Sequence, residues 1–427
     1  MRIIKSFWRR IRIEAKLRLR IGAVGLGMVL VVPSGVAQSH WVASWGTSEQ
    51  AVDPANNQPG VDAEKLTDVT VRQVVHLSLG GSAVRLELSN TFGTKPLTID
   101  SVHVARPGEA GSAPSTVIDA ATDHAVTFAG EAAVTVPAGA KYVSDPVAMS
   151  VPALANLTIS FHLGEAPVGQ TAHPGSRATS WLLHGEHSGD ADLEGAERVV
   201  RWFQLAAVDV SAPAKAGAVV AFGDSITDGH GATTDGNDRW PDVLARRLQG
   251  AGMLVAVVNE GIGGNHLLTD GNGANALARV DRDVLSLESV RSVIVLEGIN
   301  DVGMLAREKT GTAADHAALV ARMTAAYEQI VLRAHAHGLK VIGGTMTPFV
   351  GSDYYAPTAA DEAVRGAVNA WIREPGHFDA IVDFDKAVRD PADPSRMLSA
   401  FDSGDHLHPG PAGYKAMAEA IPLGLFR

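Results

Sequence analysis

From residue 218 onward the chain repeats one pattern. A short apolar run ends in a polar, glycine-rich turn, and a stretch of helical periodicity follows. The apolar runs lie near 218–222, 254–258, 292–296, 340–345 and 380–383. The helical stretches lie near 241–250, 275–287, 315–337, 361–374 and 411–420. Alternating β and α elements predict a parallel sheet held between helices. In such open sheets ligands bind outside the carboxyl ends of the strands. Polar residues at those ends are therefore the candidates for chemistry.

Four segments supply them. Gly223-Asp224-Ser225 follows the first run, Asn259 to Asn265 the second, and Glu297 to Asp301 the third. Asp405-His406-Leu407-His408-Pro409 lies near the C-terminus. Each has a bland reading. A Ser after Asp at a strand end suits a turn or a helix cap. Gly261, Gly263 and Gly264 suit a tight turn, and Asn300 a cap. Asp224 and Asp301 read as loop-ordering residues. Asp228 and His230 are close enough in sequence to Ser225 to line the mouth of a site. Asp238 is placed to cap the helix that begins near Pro241, and Arg239 and Trp240 read as packing residues or as substrate contacts.

Ser225, Gly264, Asn300 and His408, in that order and at those strand ends, resemble the SGNH (GDSL-type) hydrolase family over about residues 215–427. The resemblance implies a flavodoxin-like three-layer α/β/α fold with strand order 2-1-3-4-5. It implies Ser225 as nucleophile, His408 as base and Asp405 as its partner. The backbone N–H groups of Ser225 and Gly264 and the Asn300 amide would form an oxyanion hole. The family places the base directly before Pro409, which selects His408 over His406. Gly-x-Ser-x-Gly, the other familiar serine-hydrolase signature, is absent around Ser225, where Thr227 takes the last place.

The chemistry accounts for these residue types. A serine hydroxyl is a poor nucleophile near neutral pH unless a base takes its proton. The base needs a carboxylate that fixes its tautomer and stabilises the imidazolium. The tetrahedral intermediate needs preorganised donors. No metal and no organic cofactor enters this scheme.

The first 37 residues differ from the rest. Eight basic residues and one acid, Glu14, precede an apolar run from Ile21 to Val32, and small residues Gly35 and Ala37 follow. That is the layout of a signal peptide cleaved after Ala37, with a secreted or periplasmic product. An uncleaved anchor is the rival, although the run is shorter than the ~20 residues that span a bilayer. Cleavage would take the formal charge from −11 to −18. So acidic a protein is a poor partner for nucleic acid or anionic lipid, and no stable membrane insertion is expected after cleavage. Absence of Cys excludes disulfides and thiol catalysis.

Residues 38–212 read as all-β, a sandwich or jelly roll, ahead of a catalytic domain at 213–427. Residues 69–77 and 83–88, with Gly80-Gly81 between them, give a hairpin signal. Trp41, Trp45, Trp181 and Trp202 read as core residues or as a sugar-stacking surface. The segment His173 to Arg177 is either an ordinary loop or a reach over the cleft. The expected function is hydrolysis of short-chain acyl esters, acetyl among them, on a small molecule or polysaccharide through an acyl-enzyme. A lipase, lysophospholipase or thioesterase, and an inactive binding module, are the alternatives.

Overall fold

The computed structural model describes residues 40–52, 60–108, 115–309 and 311–427. Residues 1–37, which the sequence reads as a signal peptide, lie outside these residues. The parallel sheet is made of β1 (Gly217–Gly223), β2 (Val255–Gly261), β3 (Val290–Leu296), β4 (Lys340–Gly344) and β5 (Ala380–Val382). Its order is β2-β1-β3-β4-β5, parallel throughout, as the resemblance implies. The order reverses at β1, so the crevice for a ligand opens at its C-terminal end. Every residue of β1 is buried, as expected of a central strand covered on both faces.

The helices are α1 (Ser225–Asp228), α2 (Trp240–Gly250), α3 (Ala276–Val280), α4 (Ile299–Glu308), α5 (Ala313–Ala336), α6 (Ala359–Arg373), α7 (Phe384–Val388) and α8 (Pro411–Glu419). Thr312 with Asp315 and Thr358 with Asp361 form capping boxes that start α5 and α6. Asp238 does not cap α2. The cap position is Arg239, whose N–H is taken by Asp242, while Asp238 accepts from the Thr233 N–H. The single helix expected over 275–287 is α3 followed by a π-helical turn at Asp281–Leu285. Sequence reading left a helix or a turn open after Asn300; the structure has the helix α4, with Asn300 inside it and not at its cap. Gly298 precedes it in a left-handed conformation, and Gly303 breaks its helical pattern.

The region before β1 consists mostly of antiparallel sheets. A four-stranded sheet runs His40–Gly46, Leu205–Ala212, Val84–Ser89, Lys141–Val143. A six-stranded sheet runs Glu197–Val200, Thr179–His184, Val69–His76, Asn156–Leu163, Ser101–Ala105, His124–Ala125. The expected hairpin is therefore a correction. Its two strands lie in different sheets, and Gly80-Gly81 is where the chain crosses between them. Any side chain on Gly80 would strike the Val151 and Ala153 backbone at 2.6 Å. Trp45 and Trp202 are buried edge to face with centroids 4.9 Å apart, and Trp181 is buried as well, which is the core reading.

One apolar core runs continuously through both regions. The Val257 N–H on edge strand β2 donates to Ser78 Oγ at 2.9 Å, and the Ala43 N–H donates to the Glu288 carbonyl at 3.1 Å. The antiparallel region thus covers an edge that would otherwise expose unpaired backbone groups. No helix among the described residues is long and apolar enough to cross a membrane.

Candidate active site

The end of β1 is shaped by close approach. A Cβ on Gly223 would lie 2.3 Å from Thr227 Oγ1 and 2.4 Å from the Leu296 carbonyl. Asp224 then caps α1 by accepting the Ile226 N–H at 2.9 Å. Burial and the neighbouring Asp301 and Asp228 push this carboxyl up to about 7, against its bond to Ile226 and the Arg279 charge. Ser225 is the first residue of α1, with its hydroxyl turned to the C-terminal loop. Its Oγ–H donates to His408 Nε2 at 2.8 Å, and His408 Nδ1–H donates to Asp405 Oδ2 at 2.6 Å.

The Asp405–His408 spacing closes a turn on itself. Asp405 Oδ1 accepts the Leu407 and His408 N–H groups at 3.0 and 2.8 Å. Burial opposes ionisation, but the His408 hydrogen bond, its charge and these two amides hold the Asp405 carboxyl well below the usual range. His406 points elsewhere. Its backbone is left-handed at φ 59° and its Nδ1 pairs with Asp402 at 2.5 Å.

Gly264 follows β2 at φ 73°, and a Cβ there would lie 2.7 Å from the Asn272 amide. Conformation and the Asn272 neighbour therefore call for glycine here. Among the described residues, neither the Ser225 N–H nor the Gly264 N–H has a hydrogen-bond partner. Asn300, buried in the first turn of α4, donates from Nδ2 to the Asn265 carbonyl at 2.6 Å. One amide hydrogen remains unassigned. The three oxyanion candidates thus lie where the chain leaves β1, β2 and β3, in a connecting loop or a first helical turn.

Arg279, which sequence reading missed, ties those loops together. It is fully buried on α3. It donates to Gly223 O at 2.8 Å at the end of β1, Glu260 O at 2.8 Å on β2, Asn265 Oδ1 at 2.8 Å and Glu297 Oε1 at 3.1 Å after β3. It also meets Ser48 Oγ at 2.9 Å and Asp283 at 3.2 Å. Burial, with Asp224 beside Glu297 and Asp283 beside Glu260, pushes both glutamates well above the usual carboxylate range. An arginine inside a helical stretch carries no sequence signal for this role.

The antiparallel region reaches the site through residues 173–177. His173 is buried and bonds Asp228 Oδ1 at 2.9 Å and the Ser48 carbonyl at 2.7 Å. Arg177 Nη2 donates to His230 Nδ1 at 3.0 Å. The His230 ring lies 4.0 Å, centroid to centroid, from that of His408, and its Nε2 is 3.8 Å from Asp405. Burial, then the charges of His408 and Arg177, push His230 down to about 4. Asp301 holds the Leu267 and Leu268 N–H groups and so orders that loop. Arg239 pairs with Asp242 at 2.8 Å, and Trp240 is fully buried against Phe384, so both are packing residues.

His230, Asp405 and His408 could hold a metal ion, since one ligand atom of each lies within 4.8 Å of the others. Both nitrogens of His408 are already engaged, and Arg177 occupies His230 Nδ1. A cleft of about 540 Å³ opens beside Asp301, between the 266–270 loop, α4 and α5. Leu268, Met304, Leu305 and Leu319 line part of it.

The family model of GDSL-like lipases and acylhydrolases matches residues 221–416. Solved structures with similarity include a GDSL-like lipase from Bacteroides thetaiotaomicron, 20% identical over 48% of this chain and 85% of that one, TM-score 0.35. An acetyl xylan esterase is 20% identical over 48% and 96%, TM-score 0.36. A carbohydrate acetylesterase family member from Sinorhizobium meliloti is 18% identical over 48% and 94%, TM-score 0.36. No curated protein sequence matches the chain.

Proposed function

Because residues 221–416 form a GDSL-like lipase/acylhydrolase domain, we propose that the chain is a serine esterase that removes short acyl groups, such as acetyl, from alcohols including carbohydrates. The observation that carries this reading is the continuous line from Ser225 Oγ through His408 to Asp405, at 2.8 and 2.6 Å. His408 takes the hydroxyl proton as Ser225 attacks the ester carbonyl. Asp405 holds the Nδ1–H and stabilises the imidazolium. The Ser225 and Gly264 N–H groups and the free Asn300 amide hydrogen meet the developing oxyanion. His408 returns the proton to the leaving alcohol, giving an acyl-enzyme. Water, deprotonated by the same histidine, releases the acid.

The polar mouth supports a small acyl group and a hydrophilic alcohol. Arg177 bonds His230, whose ring lies 4.0 Å from that of His408, and the Asn272 amide lies against Gly264. A second reading, hydrolysis of longer acyl esters or thioesters, is favoured by the partly apolar cleft beside Asp301. A p-nitrophenyl ester series from acetyl to palmitoyl separates them. The first reading expects kcat/KM to fall beyond butyryl, and a maximum at octanoyl or longer selects the second. The basic, apolar and small-residue order of residues 1–37 supports export. N-terminal sequencing of the exported protein should begin at Gln38.

A further inference from the structure

Tyr355 lies in the loop between β4 and α6, far in sequence from the four strand-end segments. It is buried, and its hydroxyl donates to Asn300 Oδ1 at 2.6 Å. The Asn300 amide is therefore held at both ends, since its Nδ2 donates to the Asn265 carbonyl at 2.6 Å. A carbonyl oxygen can only accept and Tyr355 must donate, so the network fixes which end of the amide is nitrogen. Asn265 is fixed in turn, donating to the Asn272 and Ala274 carbonyls at 3.1 and 2.8 Å and accepting from Arg279 at 2.8 Å.

Gly303, on α4 near Asn300, makes room for the tyrosine. A Cβ there would lie 2.6 Å from the Tyr355 ring. The ring also packs against Phe349 and Tyr354 with centroids 6.5 and 4.7 Å away. Burial raises the hydroxyl well above its ordinary range, so it stays a donor.

We propose that Tyr355 is a positioning residue for the oxyanion hole: its hydroxyl locks the Asn300 amide with one hydrogen aimed at the reacting carbonyl. This rests on the serine-esterase reading above. Without the hydroxyl the amide keeps only its Asn265 bond and turns about χ2. Donation to Oδ1 also polarises the amide, which strengthens its remaining N–H. Both effects act where charge develops in the transition state, so they fall on kcat and spare KM.

The test is steady-state kinetics on p-nitrophenyl acetate, with sites counted by fluorophosphonate titration, for Tyr355→Phe, Asn300→Ala and the double variant. Tyr354→Phe, exposed and adjacent, is the control. A lost hydrogen bond predicts roughly a 10-fold fall in kcat for Tyr355→Phe, with KM within about 2-fold. Asn300→Ala should lose about 10²–10³-fold, the range for one donor. In the Asn300→Ala background, Tyr355→Phe should then cost less than about 2-fold, because its target is gone. Gly303→Ala, which displaces the ring while keeping the hydroxyl, should reproduce the kcat loss. An equal fold-loss in both backgrounds would mean that Tyr355 only packs, and wild-type kcat in Tyr355→Phe would end the proposal. If Ser225→Ala keeps wild-type turnover, the esterase reading itself fails. If Ser225→Ala is inactive and Tyr355→Phe is not impaired, only this inference fails.

Discussion

Replacing Arg279 by methionine should loosen the site and the fold together. The guanidinium is fully buried and has six partners on five surrounding segments: Ser48, Gly223, Glu260, Asn265, Asp283 and Glu297. Methionine keeps most of the volume and removes every donor. Summing charged hydrogen bonds would overstate the loss, because such contacts are not additive. Removing one partner of a buried ion pair bounds it at about 3–5 kcal/mol. Asp283 would keep its pair with Arg282, but Glu260 and Glu297 would lose the Arg279 charge beside Asp283 and Asp224, so their ionisation becomes harder and the defect should deepen as pH rises. Urea unfolding followed by tryptophan fluorescence measures the stability, and kcat at low temperature measures the site. Arg279→Met should lower the urea midpoint, and Arg279→Lys should recover only part of it, since an ammonium cannot fork to three loops. An unchanged midpoint in Arg279→Met would refute the idea that this residue clamps the strand ends.

Three further expectations follow from the same geometry. His408→Ala should lose most activity and His406→Ala little, compared as kcat at matched thermal stability; greater damage from His406→Ala would contradict the observed pairing of His406 with Asp402. His230 should titrate at about 4, far below the ~6.5 of a free imidazole, and Arg177→Gln should raise it by removing a positive neighbour, as read from histidine Cε1–H resonances. Because the unfolded imidazole binds its proton at higher pH than the folded one, this group's stabilisation is complete above ~6.5 and is lost as pH falls toward 4; urea midpoints of wild type and His230→Asn across that window check the sign. Gly264→Ala should destabilise the loop through its left-handed backbone, with the melting temperature falling even in the absence of substrate.

The parallel sheet and the strand-end residues were legible because each is written locally: an apolar run, then Gly, Ser or Asn at its end. The pairing of Asp405 with His408 is local too, within one turn. Other features depend on partners far away in sequence. Arg279 reads as a helix-surface residue until the three loops close over it. Tyr355 reads as one of two tyrosines in a turn until Gly303 opens a place for its ring. His173 and Arg177 belong to a region with no catalytic signature, yet they touch Asp228 and His230. Gly80-Gly81 announced a turn correctly, but a turn signal does not say which sheet the next strand joins. In α4, Asn300-Asp301 and Gly303 imitate turn chemistry, which left helix and turn undecided and put the cap at Asn300 where the structure has Gly298.

Ser225, activated by His408, should form a covalent acyl-enzyme. Intact-mass and peptide-mapping analysis after reaction with a fluorophosphonate tests it most directly. One adduct per chain is expected, mapped to Ser225, absent in Ser225→Ala and formed far more slowly in His408→Ala. An adduct on any other serine, or labelling of Ser225 at the wild-type rate in His408→Ala, would contradict it.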